Sequence, residues 1–364
     1  MAKLLLLFVI CVGLLPVAVQ AQENTEFIPG EVWKDTDGNP INAHGGGLLY
    51  HNGTYYWYGE YKKGKTVLPE WATWECYRTD VTGVGCYSSK DLLNWKFEGI
   101  VLPAVKNDPD HDLHPSKVLE RPKVVYNKKT GKFVMWAHVE SADYSKACAG
   151  VAVSDSPVGP FIYQGSFRPN NAMSRDQTVF VDDDGTPWMS WGNGTCFLVK
   201  LKPNMTELDG NIEILKMPKF VEGPWIHKRE NLYYLTYASM GKGRETISYA
   251  TAPSMEGPWT YRGVLTGMAE NSFTIHPGII EFKGQNYLFY HNAILTIDGK
   301  SGATGRRSVC VDYLYYLPDG RMAYVEQTKE GITVKPKTAA EVAEIVNPYT
   351  DEKEVVVEKE VIAD

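Results

Sequence analysis

The run Val221-Glu222-Gly223-Pro224-Trp225-Ile226-His227-Lys228, continued at once by Arg229-Glu230-Asn231-Leu232-Tyr233-Tyr234-Leu235-Thr236-Tyr237, holds the unit from which this chain is built. A carboxylate precedes a Gly-Pro turn, and a second, polar turn leads into an aromatic strand. The glycine and proline constrain the backbone just after Glu222 and fix its side chain where a strand begins. Beside Trp225 that carboxyl would be partly desolvated. Desolvation raises a carboxyl pKa and suits the group to proton donation near neutral pH. On this run alone a solvated turn glutamate explains the residues as well. Repetition decides between the two.

The same order recurs four more times: His51-Asn52-Gly53-Thr54-Tyr55-Tyr56-Trp57-Tyr58, Thr130-Gly131-Lys132-Phe133-Val134-Met135-Trp136, Asp184-Gly185-Thr186-Pro187-Trp188-Met189-Ser190-Trp191 and Lys283-Gly284-Gln285-Asn286-Tyr287-Leu288-Phe289-Tyr290. Each copy follows a short apolar strand, and most lead into a third strand with a polar turn after it. Strand, turn, strand, turn, strand at a period of roughly 45–75 residues is the signature of propeller blades. A sandwich would alternate too, but would not repeat one motif order five times. Sustained helical periodicity is confined to Ala339–Ile345. The pattern predicts an all-β, five-bladed β-propeller forming a single domain over 22–346, with 347–364 as a closing strand or tail.

The repeat gives Glu222 a structural phase. A second Glu-Gly-Pro-Trp begins at Glu256, but it ends a blade's third strand and belongs in an outer turn. Glu222 instead sits at the start of an innermost strand, and innermost strands line the axis where propellers hold their sites. The equivalent positions are His44 in blade one, Glu120 in blade two, Asp176 in blade three and His276 in blade five. Singly each is an ordinary turn residue; five at one phase converge on a pocket.

Composition bounds the rest. Lys3, the apolar run Leu4 to Leu15 and Val19-Gln20-Ala21 form a signal peptide over 1–21, too short for a membrane span. The mature chain is thereby expected to be secreted or periplasmic. Of the 6 cysteines, Cys11 lies in that segment; Cys76, Cys86, Cys148, Cys196 and Cys310 form no framework and no metal-binding spacing. Single buried thiols, with at most a Cys76–Cys86 bridge, are expected. A net charge of −7 without basic clusters argues against nucleic acid as partner. The 22 Tyr and 10 Trp exceed what a core requires, which suggests rings offered to sugars.

Over essentially the whole mature chain the sequence resembles glycoside hydrolase family 43. The resemblance is carried by Asp176 through Gly185, Glu222-Gly223-Pro224, His276 through Gly284, Tyr290-His291-Asn292 and Arg307 through Asp312. It implies an exo-acting, inverting glycosidase that takes terminal sugars from plant oligo- or polysaccharide. Glu222 matches the family's general acid, Asp176 the carboxylate that tunes it, His276 an axial histidine and Arg307 a substrate-contacting arginine. His44 stands where the family places its base aspartate. That variant, with Trp57-Tyr58-Gly59-Glu60 and Glu120-Arg121-Pro122-Lys123, resembles the branch holding exo-β-1,3-galactosidases and some α-L-arabinofuranosidases. Those galactosidases use an amide from blade five, where this chain has Phe273. Glu120 is therefore the first candidate base, Glu60 the second and His44 the third. Sugar contacts are expected from His44, Glu60, Trp225, His276 and Arg307, and stacking platforms from among Trp57, Tyr58, Trp136, Trp191 and Trp225, with most inner-strand aromatics packing between blades. β-1,3-Galactose and α-L-arabinofuranose are the expected sugars, with β-xylose third. No cofactor is required, although the resemblance implies a structural calcium on the axis near His276. A binding propeller without catalysis is the rival reading, and a protein scaffold a weaker one.

Overall fold

A computed structural model describes residues 33–63, 66–67, 78–294, 307–329 and 335–362 of the 364. The signal segment, Cys11 and Cys76 lie outside the described residues. Five antiparallel sheets stand around one axis, as the repeat predicts. Blade one pairs Gly47–His51, Thr54–Tyr61, Gly83–Ser89 and Lys96–Pro103 in order from the axis outward. Blade two uses Val118–Asn127, Lys132–Glu140, Cys148–Ser154 and Ile162–Phe167; blade three begins at Thr178–Val181 and blade four at Phe220–Arg229. Among the described residues blade five has three strands, Gly278–Phe282, Gln285–Asn292 and Ser308–Leu314.

The turns explain why each hairpin closes where it does. Asn52, Glu230 and Lys283 adopt positive φ at the tips, each beside a Gly or Asn in the quoted repeats, and turns of this hand match the twist of the flanking strands. The aromatic second strands then alternate between the two neighbouring blades. Trp57 packs toward blade five and Tyr58 toward blade two; Met135 returns the contact to blade one while Trp136 faces blade three. Tyr233, Leu235 and Tyr237 face blade three, and Tyr234 faces blade five. Five buried clusters result, one for each blade–blade junction. The last joins Trp57, Tyr87 and Trp95 of blade one to Phe289, Val309 and Val311 of blade five and so closes the ring. Period-2 patterning with both faces apolar is what a sheet stacked on both sides demands.

The stretch after blade five forms the helix Ala339–Ala343, opened by a Thr338–Glu341 capping box. Val355–Val356 then adds to the outer edge of blade four, and Lys359–Ile362 to that of blade three. Cys86, Cys148, Cys196 and Cys310 are buried and form no disulfide.

Candidate active site

Each inner strand enters the axis through a kink. Gly45, Arg121, Asp176 and Gly223 occupy the same phase in blades one to four, and all have positive φ. The register slips between Glu120 and Lys123 in blade two and between Glu222 and Trp225 in blade four. Such bulges turn a side chain out of the ladder and aim it elsewhere. For Arg121 (φ 55°) and Asp176 (φ 55°) the left-handed backbone carries a cost, as is common at functional sites. At Gly223 a β-carbon would lie 2.6 Å from His276 Nδ1, so only glycine lets Glu222 and His276 meet. Gly46 is as constrained, since a β-carbon there would lie 1.6 Å from the Tyr58 carbonyl oxygen.

These kinks bring Asp176, Glu222 and His276 together, with one donor atom from each within 4.8 Å of the others. Glu222 is held at both oxygens: His276 Nε2 is 3.1 Å from one, and Asn193 Nδ2 donates to the other at 3.1 Å. Its side chain keeps 15% exposure while Asp176 keeps 5%, so Glu222 is the acid that solvent and a ligand can reach. Asp176 lies 3.5 Å from Arg121 Nε and 3.7 Å from His138 Nδ1. The same His138 nitrogen is 3.7 Å from Glu120. Glu120, Asp176 and Glu222 thus follow one another across blades two, three and four, bridged by His138 and His276.

Electrostatics separates these groups. Burial pushes Glu120 up, but Lys62, His138 and Arg121 outweigh it and leave the carboxyl at about 2. Lys62 Nζ and Tyr144 Oη both donate to it, each at 3.0 Å. Burial lowers His138, but its bond to Glu140 and the charges of Asp176 and Glu120 hold it above its ordinary value. Burial and the nearby Arg121 push His276 well below the ordinary range, so it stays neutral beside Glu222. Burial brings Lys123 down to about 7, with Arg121 adding to the shift; its ammonium donates to the Gly45 and Gly46 carbonyls.

Several expected sugar contacts are displaced. Glu60 is fully buried, with His44 Nε2 and Lys62 Nζ each 2.9 Å away and the Arg121 amide donating to it. It is the hub of an ion network that braces blade one against blade two, not a ligand for substrate or water. His44 is 3% exposed and brought to about 4 by burial, and it faces Glu60 rather than the mouth. Trp225, 9% exposed, packs among Tyr234, Ile247 and Ile279. Trp57, Tyr58, Trp136 and Trp191 are buried likewise. These rings are core, not platforms. Arg307 is half-buried just before the third strand of blade five, near enough for its charge to act on His44 and His276.

Below the carboxylates is an axial cavity of about 30 Å³, lined by His44, Arg121, Lys123, Asp176, Gly223 and His276 among others. That volume suits one water. Calcium takes roughly six to eight oxygen ligands; here two carboxylates and an imidazole are offered, and Arg121 already supplies Asp176 with a counter-charge. Three protein donors are a partial shell that waters would have to complete.

The sequence reading missed Asn193, His138, Tyr144, Lys62 and Glu245. Burial and the charge of Glu222 push Glu245 well above the carboxylate range, and it accepts the Ile275 amide hydrogen. A signal for one of them exists in hindsight: His138 follows the apolar run 133–137, and an ionisable residue buried there is rare without a partner.

Comparison with known proteins agrees with this geometry. The model for glycosyl hydrolases family 43 matches residues 47–322. A β-D-galactofuranosidase of Aspergillus niger is 25% identical over 306 residues, covering 74% of this chain and 87% of the relative. A family 43 β-1,3-galactosidase solved with galactodeoxynojirimycin superposes with a TM-score of 0.65 at 30% identity, over 81% of this chain and 97% of that one. An exo-β-1,3-galactanase of Phanerochaete chrysosporium, solved with β-1,3-galactotriose, gives a TM-score of 0.68 at 26% identity, over 83% of this chain and 67% of that one.

Proposed function

The chain belongs to glycosyl hydrolases family 43, and on that footing we propose that it is an exo-acting glycosidase removing terminal β-1,3-linked galactose from plant glycan. The observation that carries the reading is Glu222, fixed at both oxygens yet open to a ligand, beside a buried Asp176. Glu222 donates its proton to the leaving oxygen, and the Asn193 and His276 contacts set the direction of that transfer. Asp176, 3.7 Å from His276 Nδ1, backs the histidine that holds Glu222. Glu120 takes the part of base, from the far side of Asp176. A carboxyl at about 2 is ionised at any working pH but weakly basic. It therefore orients the attacking water as much as it takes the proton. An acid and base on opposite faces of the sugar, roughly 6.5–9.5 Å apart, invert the anomeric centre. His276, which lines the axial cavity, and Arg307 are the candidate sugar contacts.

Nitrophenyl β-galactoside, α-L-arabinofuranoside and β-xyloside test the reading, with the galactoside expected to turn over fastest. Glu222→Gln should lower kcat on a disaccharide by about three orders of magnitude or more, and by less on the activated nitrophenyl group. No turnover on any of the three would defeat the proposal, and a binding propeller without catalysis would show sugar binding unaffected by that change. Export by the 1–21 segment belongs to the same proposal; N-terminal sequencing of the protein from culture medium or periplasm should find the chain starting near Gln22.

A further inference from the structure

We infer that the groove between blade five and the C-terminal helix is a second carbohydrate-binding site, which holds a stretch of neutral glycan away from the cleavage centre. The inference rests on the reading that this chain acts on glycans. Among the described residues blade five has three strands where its neighbours have at least four. Outside its third strand lies a groove of about 1150 Å³, beyond the roughly 300–1,000 Å³ of a small-molecule pocket. Its extent suits a chain of sugars.

Its floor is tyrosine. Tyr313, Tyr315 and Tyr324 line it, each half-buried. Tyr313 and Tyr315 stand two residues apart and so share a face. Their ring centroids are 6.0 Å apart at 34°, and Tyr287 extends the row a further 5.4 Å at 35°. The row is held still: the Lys337 amide donates to Tyr315 Oη at 2.8 Å, tying the wall of the groove to its floor. Rings already fixed in place lose little entropy when a ligand lands on them. Above the rings the rim offers Glu326 and Glu344 as acceptors and Lys335 as donor. Apolar ring faces below with hydrogen-bonding groups of both signs at the edge match a pyranose, which has C–H patches on its faces and hydroxyls around its rim. The mixed signs give no field for a polyanion.

The test uses the full chain carrying Glu222→Gln, so that ligand is not consumed, in native gels containing β-1,3-galactan, arabinan or xylan. The protein should be retarded by at least one of the three, and Tyr313→Ala with Tyr315→Ala should weaken the apparent Kd about tenfold or more. With Glu222 intact, the same double change should leave kcat and KM for the nitrophenyl glycoside within about twofold. Glu344→Trp, on the exposed helix, obstructs the groove without disturbing its floor and should give the same loss if the double variant fails to fold. Retardation undiminished in a folded groove variant, or absent in all three gels for the unaltered groove, overturns the inference. Neither result touches the cleavage reading, which stands or falls on nitrophenyl turnover.

Discussion

At the scale of single residues, the site depends on what is left out as much as on what is present. Gly223→Ala adds a β-carbon 2.6 Å from His276 Nδ1 on a backbone with φ 62°. We expect kcat to fall at least tenfold while KM moves less, because the shifted group is the partner of Glu222 and not a binding surface; steady-state kinetics on the galactoside measures the split. Lys123 makes a second prediction. Its folded pKa of about 7 lies below the 10.5 of the free side chain, so the unfolded chain binds more protons between those values. The contribution of Lys123 to stability therefore rises with pH across that window. Urea unfolding at pH 7 and pH 9 should show wild type gaining about 2 kcal/mol on Lys123→Met over the interval. The repeat pointed Glu222, Asp176, Glu120 and His276 to the axis, where the structure gathers them, although Asp176 aligns with Arg121 and Gly223 at the kink, one position after Glu120 and Glu222. Asn193 was not legible in sequence, since the Gly192-Asn193-Gly194 turn reads as any hairpin tip and only the fold brings it to Glu222. The tryptophans were misassigned for a related reason. Aromatic content says nothing of which face a ring occupies, and in a sheet covered on both sides every face is interior.

At the scale of elements, three strands per blade could be read from the sequence and the fourth could not. Lys96–Pro103, Ile162–Phe167 and Leu208–Leu215 are outer strands with more exposed residues, and Thr260–Thr266, though mostly buried, shares their Gly-marked irregularity, so their alternation is diluted. The same holds for the tail, whose mixed charge hides two short strands. Those strands fasten blade three to blade four from outside: the Val357 amide donates to the Trp259 carbonyl, and the Lys216 amide to that of Glu358. Val357 is buried in the cluster between the two blades. Deleting residues 351–364 should lower Tm by roughly 3 °C, a loss of about 2 kcal/mol, with blades one and two least affected in hydrogen exchange. An unchanged melting curve would show that the tail adds no strength.

At the scale of the whole molecule, the ring is closed by side chains. Phe289, Val309 and Val311 of blade five meet Trp33, Trp57 and Trp95, and Tyr55 Oη donates across the same seam to the Glu281 carbonyl. On the axis Arg121 supplies positive charge beside Asp176, and we propose that it stands in for a metal. Dialysis against EDTA should therefore leave both Tm and the rate on the galactoside unchanged; a fall in either that calcium restores would overturn this account. Seen from a laboratory that wished to retrain the protein on another sugar, the tight seat of Gly46 against the Tyr58 carbonyl has a practical meaning. A randomised library spanning that loop would be spent almost wholly on chains that never fold, so diversity is better placed at Arg307 and Phe273, where the backbone leaves room for choice.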